Sequence, residues 1–142
     1  MPGQLTLDPK YYPSDFNVTS VALSGYGFGT AGLSTQIPLL YADRDMVIDS
    51  VTLVCPLHSA TPLTGLVLKK TTAPAPAVTG STNVATNTLA RAANATAAVL
   101  SFTIDKTNNQ LRSGEILSLF ATAFSATAGE QIFVQIRWRS QF

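Results

Sequence analysis

The chain predicts an all-β domain, an antiparallel sandwich or barrel preceded by an extended N-terminal arm, and three observations lead there. Apolar residues alternate at period two in several separate segments, the signature of half-buried strands. Clusters of Gly, Pro, Asn and Ser divide those segments at the short, regular spacing of all-β folds. No segment holds a helical period long enough to supply the crossover helices of a parallel sheet.

Residues 1–35 read as the arm. They carry Pro2, Pro9 and Pro13 with Gly25, Gly27, Gly29 and Gly32, yet also Tyr11, Tyr12, Phe16, Tyr26 and Phe28. A solvated tail is poor in aromatics, so these five are the candidate partner-binding residues of a segment that docks onto something. Within it "NVTSVAL", Asn17 to Leu23, is β-branched enough to be a strand. "GFGTAG", Gly27 to Gly32, matches the spacing of a dinucleotide-binding turn. That motif needs a helix to follow, and Pro38 in "LSTQIPLLYADRD" forbids one of three turns, so the glycines read as a loop without side-chain constraint.

The sandwich is assigned to residues 36–142, and a chain starting at Gln36 is expected to keep its fold. "QIPLLY", Gln36 to Tyr41, is a strand confined by Pro38 to a sheet edge or an irregular pairing. "VIDSVTLVC" sets Val51, Leu53 and Cys55 against Ile48, Ser50, Thr52 and Val54, and "LTGLVLKKT" follows after "PLHSATP" as its hairpin-like partner. "TTAPAPAVTGSTN" is a long loop in which Pro74 and Pro76 favour extended geometry and Gly80 a turn. "ATNTLARAANATAA" reads as strand plus loop. "AAVLSFTID" places Leu100, Phe102 and Ile104 on one face, and "KTNNQ" closes it with a turn. "RSG", with Gly114, introduces "GEILSLFATAF", where Leu117, Leu119 and Ala121 alternate with Ile116, Ser118 and Phe120. With "SATAGE" as the connection, it reads as the antiparallel strand preceding "EQIFVQIRWR". There Ile132, Val134, Ile136 and Trp138 face one way, and Gln131, Phe133, Gln135, Arg137 and Arg139 the other.

Composition narrows the function. The 142 residues suffice for one domain with a real core, and the net charge of +1 argues against a protein held to nucleic acid by phosphate neutralisation. Charged residues make up 12%, about half the usual share, while Ala and Thr contribute 18 each. A surface of small and hydroxylated side chains costs little to desolvate against a partner. Cys55 stands alone, which excludes an intrachain disulfide and a multi-thiolate zinc site. The basic start and apolar stretch of a signal peptide, and an apolar run of membrane-spanning length, are both missing; synthesis in the cytoplasm and no membrane partner are the expectation.

Catalytic groups do not converge. His58 follows Cys55 at a spacing that sends the two to opposite faces of an extended segment. Asp43, Asp45 and Asp49 offer oxygens to calcium, but Arg44 interrupts them, and arginine or solvent pairing is the simpler role. Glu115 and Glu130 resemble a glycosidase pair only if they face each other; both stand beside turn glycines, where solvated carboxylates are common. In "RWR" a strand points Trp138 away from Arg137 and Arg139, so the trio is no stacking platform for single-stranded nucleic acid. The expectation is a protein that is not an enzyme, with no cofactor and no metal.

An aromatic arm followed by "VIDSVTLVCP", "TGLVLKKTTAPAP", "LRSGEILSLFATA" and a closing "QIFVQIRWR" resembles the small β-sandwich decoration, or cement, proteins on the heads of tailed bacteriophages. The likeness is one of pattern over roughly residues 36–142. It implies a jelly-roll or immunoglobulin-like sandwich, frequent assembly as a homotrimer, the major capsid protein as partner, and a place on the capsid surface of the virion. It brings no catalytic residues. The alternative is a head-fibre or tail-associated adhesive module that binds a host glycan; exposed Trp and Tyr would be its signature, and the single Trp lies on the apolar face of a strand.

Overall fold

The computed structural model describes residues 16–23, 27–28, 35–55, 63–72, 81–91, 98–121, 124–125 and 132–141. Twelve strands run along them: β1 (Asn17–Ala22), β2 (Gly27–Phe28), β3 (Thr35–Tyr41), β4 (Met46–Cys55), β5 (Leu63–Thr72), β6 (Thr82–Asn83), β7 (Leu89–Arg91), β8 (Ala98–Ser101), β9 (Gln110–Leu111), β10 (Glu115–Ala121), β11 (Phe124–Ser125) and β12 (Phe133–Ser140). Among the described residues there is no helix.

The pairings nest. β1 pairs with β12, β2 with β11, β3 with β10, β4 with β8 and β9, and β5 with β6 and β7, all antiparallel. The first half of the chain thus lies against the second half in reverse order, as in one long hairpin. Two further pairings, β12 with β4 and β10 with β5, wind that hairpin into two sheets, ordered β1-β12-β4-β8 and β3-β10-β5-β6. A wound hairpin of this order is the jelly-roll form of the antiparallel β-sandwich.

The alternating side chains explain why two sheets form. On β4 Met46, Ile48, Val51, Leu53 and Cys55 are buried; on β12 Val134 and Ile136; on β5 Leu66 and Leu68; on β10 Leu117, Leu119 and Ala121. Each strand therefore has one apolar face, and the two sets close on each other to form a single core. β3 is an edge strand, and its register against β10 shifts between Leu117 and Ser118, opposite Pro38. The proline lacks a ladder donor, and the irregular edge accommodates it as expected. Gly65 and Gly114 take positive φ, 62° and 94°. Gly65 falls inside the register shift of β5 against β7, and Gly114 in the turn where the Glu115 N–H donates to the Arg112 carbonyl at 2.9 Å.

Several expectations are corrected. β4 and β5 do not form a hairpin; they lie in different sheets, as do β10 and β12. Period-two alternation marks a strand with one buried face but says nothing about which strand lies beside it. Ile48 does not oppose Val51. Asp49 is an extra residue between the pairs Ile48↔Trp138 and Ser50↔Arg137, so the bulge returns both Ile48 and Val51 to the core. Finally, the segment expected as a separate arm is not separate over residues 17–23: β1 pairs with β12 along its length and Leu23 is fully buried. The cause is Val21 and Leu23, which complete the apolar face of the first sheet. The rest of that segment, apart from Phe16, β2 and Thr35, lies outside the described residues.

Candidate interaction surface

β12 organises the outer face of the first sheet. With Val134 and Ile136 turned into the core, Phe133, Gln135, Arg137 and Arg139 point outward. The register aligns their neighbours in rows across the strands: Ala22, Phe133, Val54, Val99; then Ser20, Gln135, Thr52, Ser101; then Val18, Arg137, Ser50. The first row is apolar and the second small or neutral. Val18 and Val99 are 65% and 67% exposed, high for β-branched apolar residues.

Charge enters at one end. The Arg137 guanidinium lies over the Phe16 ring with its Cζ 4.1 Å from the centroid, and the Arg139 Cζ approaches the same ring at 5.9 Å. Phe16 stands one residue before β1 and is 41% exposed, so its ring supports the arginine while staying at the surface. The bulge aims Asp49 at Arg139, Oδ1 to Nε 3.5 Å. Its other oxygen, Oδ2, is buried with no hydrogen-bond partner. Arg137 has no carboxylate within ion-pair distance among the described residues. Trp138 turns the other way, half-buried against the core, and its indole Nε1 donates to Thr19 Oγ1 at 2.9 Å.

The other candidates do not converge. Asp43 pairs with Arg44 at 3.0 Å, and that hydrogen bond holds the Asp43 carboxyl below its ordinary range and raises the guanidinium. Of the three acids, Asp43 and Asp49 pair with arginines as expected, whereas Asp45 Oδ1 accepts the Ser113 backbone N–H at 2.9 Å. Glu115 Oε2 accepts the Arg112 N–H at 2.8 Å and lies 3.9 Å from Lys70 Nζ; Glu130 is outside the described residues. Cys55 is buried, and His58 is outside the described residues. Among the described residues no group of three His, Cys, Asp or Glu could hold a metal ion. No helix among them is long and apolar enough to cross a membrane. An open cleft of about 680 Å³ lies beside the end of β12, lined by Asp49, Lys106, Asn109 and Arg139 among others; its one carboxylate is the one already paired with Arg139.

Of the five aromatics expected to bind a partner, Tyr11, Tyr12 and Tyr26 lie outside the described residues. Phe28 is described only in its backbone, which pairs with Phe124 in β2 and β11, so Gly27–Phe28 of the glycine motif is a strand. Phe16 alone is placed, and it joins the β12 arginines. Sequence reasoning saw the outward set of β12 but not Val18, Val54 or Val99 beside it, because those neighbours depend on a register that no single segment reveals.

No family model matches the chain, and no curated protein matches it. Among solved structures, the chain is similar to one described as the structure of infectious bursal disease virus Gx strain, at 16% identity and a TM-score of 0.42. The alignment covers 98% of this chain and 36% of that one, so the chain spans about a third of its length.

Proposed function

We propose that the chain is a structural virion protein that binds the outer surface of an assembled tailed-phage capsid and stabilises it, with no catalysis. The observation that carries this reading is the outer face of the first sheet, where exposed Val18 and Val99 flank rows of apolar and uncharged small side chains. Such a face costs little to desolvate and gives little back to water, which suits a protein that lies on another protein. Binding the assembled shell but not its free subunits favours the shell by linkage, and many copies multiply a modest affinity. The major capsid protein is the partner in this reading, and a homotrimer is the assembly state, with Tyr11, Tyr12, Tyr26 and Phe28 as further contacts.

The test is co-sedimentation of the purified chain with emptied particles of the phage that encodes it, followed by heating of decorated and bare particles. Saturable binding and a higher rupture temperature support the reading. Binding to a glycan array with none to particles replaces it by the adhesive module. Light scattering of the free chain checks the trimer.

A further inference from the structure

Resting on that reading, we infer that the outer face of the first sheet is the docking face, and that its partner is a protein surface presenting a carboxylate to Arg137. Phe16 supports one face of the Arg137 guanidinium, and a stacked guanidinium keeps its N–H donors in the plane of the group, pointing past the ring edge. Those donors match the two oxygens of a carboxylate, the bidentate geometry in which arginine binds most strongly. The neighbouring Arg139 is already committed to Asp49, whereas Arg137 has an aromatic support and no acid among the described residues. Stacking without an acid is a receptor prepared for one.

The rows beside it define the rest of the partner. Val18 lies directly opposite Arg137, and two rows away Ala22, Phe133, Val54 and Val99 present only carbon. A carboxylate next to an apolar and hydroxyl-bearing patch is a protein surface. A nucleic acid would bring a line of phosphates to a face with two arginines, one of them neutralised. A second copy of this chain is disfavoured by charge. The acid on this face, Asp49, is spent on Arg139, so two such faces would meet arginine to arginine. Area agrees: four strands about 4.8 Å apart and roughly 20 Å long give on the order of 400 Å² in projection, about half of what each partner contributes to a stable pair. The face is therefore weak alone and suited to a repeated surface.

The experiment uses the full chain and emptied particles of the parent phage. Arg137→Glu and Val99→Asp alter the docking face, and Lys69→Glu alters the opposite sheet as a control for charge reversal. Melting temperatures are measured alongside, since Arg137 and Val99 are exposed whereas Lys69 is half-buried with its Nζ 4.9 Å from the Phe120 ring centroid, and binding is compared among variants that keep their stability. We expect at least tenfold weaker binding for Arg137→Glu and Val99→Asp, less than twofold change for Lys69→Glu, and a loss of affinity with salt that is smaller in Arg137→Ala than in the natural chain. If the natural chain binds and both face variants bind equally well, the docking face is wrong while the particle-binding function stands. If the natural chain binds no particle, function and face fall together. If the free chain self-associates and Val99→Asp abolishes that, the face belongs to a second copy and the carboxylate-bearing partner is excluded.

Discussion

Trp138 and Thr19 are 119 positions apart, and the 2.9 Å hydrogen bond between them ties the last strand to the first. An indole N–H that is half-buried needs a partner, and a net contribution of about 0.5–1.5 kcal/mol is ordinary for such a bond. We expect Trp138→Phe and Thr19→Val to destabilise singly, and the double variant to lose less than their sum by about that amount, as read by urea unfolding. Additive effects would mean the bond contributes nothing. Asp105 offers a pH-dependent case. Its carboxylate accepts from the Thr107 hydroxyl, the Thr107 N–H at 2.9 Å and the Asn108 amide at 2.9 Å, and these bonds, the hydroxyl first, hold it below its ordinary range. A lowered carboxylate adds stability above the unfolded value, about pH 4, and that share is lost as pH falls through the lowered folded value. The Thr107 and Asn108 amide resonances should therefore shift with a midpoint below that of a free aspartate. Asp105→Asn should abolish the shift, and a midpoint at or above the free value would contradict the assignment.

At the scale of elements, Gly114 and β1 carry the clearest consequences. A Cβ on Gly114 would meet nothing within 4 Å, so Gly114→Ala costs only the strain of φ +94°, about 1 kcal/mol, and Gly114→Asn should cost less. Thermal unfolding ranks the three; equal stabilities would mean the turn relaxes. A chain starting at Gln36 loses the β1 ladder and buried Leu23, uncovers the β12 edge, and should aggregate or melt well below the full chain, whereas one starting at Phe16 should keep its fold. Circular dichroism of the two decides whether β1 belongs to the domain. Much of this level was legible. The alternation of Ile132, Val134 and Ile136, the edge position forced by Pro38 and the Gly114 turn all follow from local chemistry that each segment carries by itself. The Asp49 bulge was not, because "VIDSVTLVC" alternates equally well in either frame until Trp138 and Arg137 set the register. The docking face was half legible for the same reason: Arg137 could be placed on the outer side of β12, but not Phe16 beneath it.

The whole molecule is held by pairings between its two halves, and that is the level sequence reading missed most. Local signals favour neighbours in the chain, so β4 with β5 is the expected hairpin, whereas in the fold the chain passes from one sheet to the other between β3 and β4, between β4 and β5 and between β9 and β10, and each of these strands pairs with one distant in sequence. Such long-range pairing makes folding slow, because loop closure precedes most of the stabilising contacts. The pairing of β1 with β12 has another outcome. Asn17 lies beside Trp138, so the two ends of the described chain leave the sandwich at one corner. Topologically the domain is close to a ring that happens to be cut there. Joining residue 141 to residue 16 by a short glycine-rich bridge and opening the chain at the exposed Lys106–Thr107 turn should give a circular permutant with the same sheets, in which the β12–β1 contact has become a local hairpin that folds early. It also means the domain could sit inside a loop of a longer polypeptide without spreading that loop apart.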